Sequence, residues 1–115
     1  MKEGEMNVKI AEHLGWTQIE AMENRRPWGY PPIPYSPPQR VFVPNYTRDL
    51  NAMAEARRTL SMAESCRFWE VLHAIVKSRC VPNIDDASIW CLAIDAPCEE
   101  RAEAFLIVKG YQPHP

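Results

Sequence analysis

Glycine is scarce in this chain, with four in 115 residues. The sequence has no glycine-rich phosphate loop, and it also lacks a G-x-S-x-G nucleophile elbow and an H-E-x-x-H zinc helix. Cysteine is sparse and unpatterned. Cys66, Cys80, Cys91 and Cys98 form no C-x-x-C, and their spacings of 14, 11 and 7 residues match no common zinc module. Reduced thiols are therefore expected, with no metal and no other cofactor. An excess of one charge is missing as well: thirteen basic residues against fifteen acidic ones give a net charge of -2, which argues against general nucleic-acid binding. The basic pairs Arg25-Arg26 and Arg57-Arg58 are too short to overturn that. No apolar run approaches the roughly 20 residues of a membrane helix, and MKEGEMNVKI has no apolar leader. A cytoplasmic protein without membrane attachment is expected.

A hydrophobic content of 46% and a length of 115 residues suit one soluble domain able to hold a core without staples. Residues 1–5 read as a flexible polar tail and 6–115 as a single globular domain. Val8, Ile10, Ala11, Leu14 and Ile19 keep a near-helical period within 6–23, so a first helix is expected from about Asn7, ended or bent by Gly15. Seven of the eleven prolines then fall between 27 and 44. Proline fixes φ and removes a donor, so this stretch is expected to be an ordered extended connection, neither helix nor internal strand before Gln39. Trp28, Tyr30, Ile33 and Tyr35 interleave with the prolines and are expected to fold back over the core. The rival reading is a ligand for a proline-reading partner, because Pro31 to Pro34 and Pro34 to Pro37 both fit P-x-x-P. Gln39 to Val43 reads as a short strand.

In VFVPNYTRDLNAM, residues 41–53, Thr47 is suited to cap the following helix, Asp49 suits its positive end, and Asn45 makes the turn. Leu50, Met53, Ala54 and Leu60 share a face. Every polar residue here thus has a structural role to fill. Ser61 opens a helix ending near Lys77, with Cys66, Trp69, Leu72, His73 and Val76 facing inward and Phe68, Val71 and Ile75 broadening that face. A helix so broadly apolar packs on two sides or against a second copy. Residues 78–88 form a loop, and Ile89 to Ile94 fits a strand or a short helix equally well. The last helix starts at Asp95 or Ala96, buries Ala102, Phe105 and Leu106, and stops at Gly110.

The segments VPNYTRDLNAMAEARRTL (43–60) and DAPCEERAEAFLIVKGY (95–111), behind HLGW (13–16), resemble the small proteins grouped as the phage ABA sandwich domain. The resemblance covers about half the chain, and P-N-Y-T-x-D-L-N-A is its distinctive part. It implies an α-β-α layered fold and a phage or prophage origin in a bacterial host, with no reaction and no catalytic residues to carry over. After residue 60, where family members enter a strand, CRFWEVLHAIV reads as helix, so a smaller sheet is expected. The expected class is α+β, a small helix-rich, sandwich-like layered domain with a short sheet, with an all-α fold carrying a short β element as the alternative.

Three functions follow. The first is a non-catalytic phage accessory protein acting by binding, on a host protein or on a small nucleotide-like ligand at a rim of Trp28, Tyr30, Tyr35, Arg40 and Tyr46. Rings there would stack on a base and arginine would pair with phosphate. The second is a small enzyme using Cys66 or Cys80 with His73 or His13. The third is a structural homo-oligomer joined through the broad helix 63–77.

Overall fold

A computed structural model of the protein describes residues 3–21, 25–32 and 39–111. Ile33, Tyr35, most of the two P-x-x-P motifs and the closing Gln112 to Pro115 lie outside the described residues. The chain is α+β, with five helices and a three-stranded antiparallel sheet among the described residues. The paired strands rule out the all-α alternative.

Helix α1 spans Glu3–His13, so it begins four residues before the expected start and takes in residues 3–5 of the expected tail. Glu3 and Glu5 complement the positive end of the helix dipole, and the Arg48 Nε donates to Glu3 Oε1 at 2.8 Å, tying that end to the body. Gly15 ends the helix, at φ +98°, and the Trp16 N–H donates back to the Ala11 carbonyl. The same Schellman arrangement closes the last helix at Gly110, φ +96°, with the Tyr111 N–H on the Leu106 carbonyl.

Residues Thr17–Glu20 form strand β1 where the hydrophobic period continued the helix. With Gly15 in the left-handed region, the chain leaves the helix axis and Ile19 meets the core from a strand. Strand β2, Trp28–Tyr30, corrects the expectation that the proline segment contains no strand before Gln39. The prolines flank this strand without entering it, so Trp28, Gly29 and Tyr30 keep their donors. β2 is the central strand, paired with β1 and with β3, Val41–Phe42. Even Pro27 extends the ladder, accepting at its carbonyl from the Val43 N–H at 2.9 Å. Gly29 is required by close approach: a Cβ there would sit 3.0 Å from the Ile19 Cγ1 and the Thr17 carbonyl oxygen.

Helix α2, Leu50–Arg57, is capped by Asp49 and not by Thr47: the Asp49 carboxylate accepts from the N–H groups of Asn51 and Ala52. Thr47 is buried instead, in a small polar network. Its N–H donates to Asn7 Oδ1 at 3.2 Å, its hydroxyl donates to Asn45 Oδ1 at 2.8 Å, and Asn7 Nδ2 donates to the same oxygen at 3.0 Å. The P-N-Y-T segment is therefore a clasp between α1 and the turn before α2, a structural role for Thr47 other than the cap expected of it.

Helix α3, Met62–Ser78, opens on a full capping box between Ser61 and Glu64. Its buried stripe is Phe68, Leu72 and Val76 at strict four-residue spacing, with Trp69, Val71 and Ile75 packed on its flanks. Cys66, expected inward, is exposed, and His73 is half-buried at the edge. Helix α4, Asp86–Ile94, settles the ambiguous apolar run as helix, capped by Asp85. Helix α5, Cys98–Val108, buries Ala102, Ala104, Phe105 and Leu106. It packs against α1, α2 and α3, and α3 also packs against α4. The small side chains of α5 let several helices approach it closely, and one core results. The sheet lies beside these helices and joins their core through Val43, with Ile19 and Trp16 half-buried against it.

Candidate functional site

Pairing register decides which side chains share a face of the sheet. Trp28 stands opposite Glu20 on one side and Phe42 on the other. Side chains alternate along a strand, so Gly29 turns toward the packed face while Trp28 and Phe42 stand on the open one. Trp28 is 41% exposed and Phe42 58%, unusual for rings of this size in a chain that buries its other phenylalanines. Between them and the chain before β2 lies a cleft of about 370 Å³ lined by Glu20, Arg25, Arg26, Trp28 and Phe42.

The polar walls are built by specific contacts. Arg40 Nη1 donates to Glu20 Oε1 at 2.7 Å, and Trp28 Nε1 donates to Glu20 Oε2 at 2.9 Å, so both carboxylate oxygens are held in place. The Arg40 guanidinium lies 5.9 Å from the Trp28 ring centre and 5.5 Å from that of Tyr30. Its Nη2 also reaches Gln18 Oε1 at 3.4 Å. Gln18 sits at φ +51°, beside the register shift in β1. On the opposite wall Arg26 donates to the Val43 carbonyl at 3.0 Å and lies 5.0 Å over the Phe42 ring. Arg25 has no ion-pair partner among the described residues and is exposed at the cleft.

Of the five residues expected at a ligand rim, the structure brings Trp28, Tyr30 and Arg40 together on one face. Tyr35 lies outside the described residues. Tyr46 is not at the rim: it is 4% exposed, in the helical core, and burial pushes its hydroxyl up to about 12 against an opposing hydrogen bond with Trp16. Glu20, Arg25, Arg26 and Phe42 were missed. Phe42 lies in the expected strand, and in the sequence Arg25-Arg26 reads only as a short basic pair. Nothing in the spacing of Glu20 linked it to Trp28, because their pairing depends on the turn out of α1.

The cysteines and histidines have other surroundings. His73 Nε2 is 2.8 Å from Asp86 Oδ1, and its ring lies 4.4 Å from that of Trp90, whose Nε1 donates to Asp86 Oδ2, so this trio joins α3 to α4. His13 stacks edge-on against Tyr111, and burial, with Lys109 nearby, lowers its pKa. The Cys98 thiol donates to the Tyr46 carbonyl, and its pKa is raised by burial. No cysteine hydrogen-bonds a histidine among the described residues. No cluster of three or more His, Cys, Asp or Glu side chains is placed to hold a metal among them either. No described helix is long and apolar enough to cross a membrane. Comparison with protein-family models, with curated proteins and with solved structures finds no match.

Proposed function

We propose that the protein is a non-catalytic accessory protein of the phage or prophage kind, acting by binding in the bacterial cytoplasm, with the sheet cleft as its site. The observation that carries this reading is the cleft itself. Two large rings stand exposed side by side between guanidinium groups, at a place where the fold gains nothing from exposing them. The phage origin rests on the resemblance of residues 43–60 and 95–111. Native mass spectrometry of the protein purified from cells tests the binding role against a Trp28→Ala, Phe42→Ala double variant. Retained mass that leaves on denaturation and is lost in the variant is the expected result, and equal masses for both proteins would sink it.

An oligomeric role has one observation in its favour. On α4, Leu92 and Ile94 face solvent, and Trp90 is also partly exposed. A monomer at high micromolar concentration in analytical ultracentrifugation would remove that reading.

A further inference from the structure

Resting on the reading of the sheet cleft as a binding site, we infer that it takes a free guanine mononucleotide, its base on Trp28 and Phe42, its base edge on Glu20 and its phosphate at Arg25 and Arg26. The rings come first. Trp28 and Phe42 are direct cross-strand neighbours with exposed surface, which offers a planar base an apolar seat.

The cleft lining carries both signs of charge, and they are not equally available. Glu20 is neutralised by Arg40, which is also occupied with Gln18 and with the faces of Trp28 and Tyr30. That leaves Arg25 and Arg26 as the cationic wall. Arg26 commits one nitrogen to the Val43 carbonyl, and Arg25 commits none among the described residues. Two guanidinium groups match the charge of a phosphate monoester and supply the planar donor forks that its oxygens accept.

Glu20 selects the base. Its oxygens are fixed by Arg40 and by the indole N–H, and each retains an acceptor lone pair. A carboxylate only accepts, so it favours an edge that presents adjacent donors. Guanine alone among the common bases has two, N1–H and the N2 amino group. Adenine and cytosine place a ring acceptor beside their amino group, and uracil flanks its N3–H with carbonyl oxygens. A cleft of about 370 Å³ is near the small end of ligand sites, suited to one nucleotide and not to a strand.

Isothermal titration of the full chain with GMP, AMP, guanosine, inorganic phosphate and a guanine-containing trinucleotide tests this. GMP should bind about tenfold tighter than AMP and about tenfold tighter than guanosine. Arg25→Ala should cost GMP about tenfold and leave guanosine unchanged, and Glu20→Gln should erase the preference for GMP over AMP. Glu20→Gln also removes the Arg40 ion pair and is checked for folding by thermal melting, whereas Arg25 holds no described partner and its variant keeps the test decisive. Equal affinity for GMP and AMP, or a trinucleotide bound about tenfold tighter than GMP, would overturn the inference. So would no binding of any probe by the folded protein. If the mass retained from cells is still lost in the Trp28→Ala, Phe42→Ala variant, the site stands and only the ligand class falls. If nothing is retained by either protein, both readings fall.

Discussion

Phe68 and Phe105 in the helical core lie wholly out of solvent, whereas Trp28 and Phe42 on the sheet are left substantially exposed. The core rings are held from several helices at once, so removing one leaves a cavity that rigid neighbours cannot close. The sheet rings lean on one layer of backbone and on guanidinium groups that solvent also reaches. Burial of the first kind holds the fold together. Exposure of the second kind leaves apolar and cationic surface available to a ligand, at little cost in stability.

Four measurements break or sharpen that contrast. Phe105→Ala should lower the unfolding free energy by about 3–5 kcal/mol in urea titration, because the site is closed on all sides. A loss below about 1 kcal/mol would mean that the helices repack freely and that the contrast with the sheet is false.

Tyr46 gives the next largest effect. Its hydroxyl holds its proton to about pH 12 in the folded chain, while the unfolded chain releases it near 10. Over that window the folded state binds more protons, so stability falls as pH rises, by at most about 1.4 kcal/mol per pH unit; below pH 10 the contribution is fully present. Tyr46→Phe should flatten this part of the pH profile, and an unchanged alkaline slope would place the hydroxyl in solvent.

Asn7→Ala removes the side chain that receives the Thr47 N–H and donates to Asn45, and should cost about 1–3 kcal/mol. Asn7 belongs to the seam between α1 and the turn before α2, so its loss should also speed hydrogen exchange at residues 45–48. A loss of stability without faster exchange there would contradict the clasp. The smallest effect belongs to the sheet: Trp28→Ala should cost about 1 kcal/mol, from its half-exposed ring pair with Phe42 and its solvent-reached hydrogen bond to Glu20, while abolishing ligand retention. A loss as large as that of Phe105→Ala would make Trp28 a core residue and end its candidacy as a binding ring.

Local chemistry made much of this fold legible. Gly15 and Gly110 stop helices with the backbone geometry their sequence neighbourhood implies, and Ser61 opens α3 as expected, with the reciprocal bond from Glu64 added by the structure. The last helix was legible from its apolar stripe and from Gly110, but it starts at Cys98 and not at Asp95 or Ala96, because Asp95 closes α4 and Pro97 stands just ahead of the first turn. Thr47 was misread as a cap because its proper partner, Asn7, lies 40 residues away. The strand Trp28–Tyr30 was hidden by the prolines on its two sides, since proline count over a window says nothing of the donors inside it.

The sequence by itself pointed to the α+β class, to the start of α3 and to the ends of α1, α3 and α5, because capping, glycine stops and periodicity act over a few residues. Tertiary structure alone decided that Ile89 to Ile94 is helical. It also sent Tyr46 into the core and set Glu20, Trp28 and Phe42 side by side. These outcomes depend on strand register and helix contact between distant segments, and no local preference of a residue encodes which distant segment will meet it.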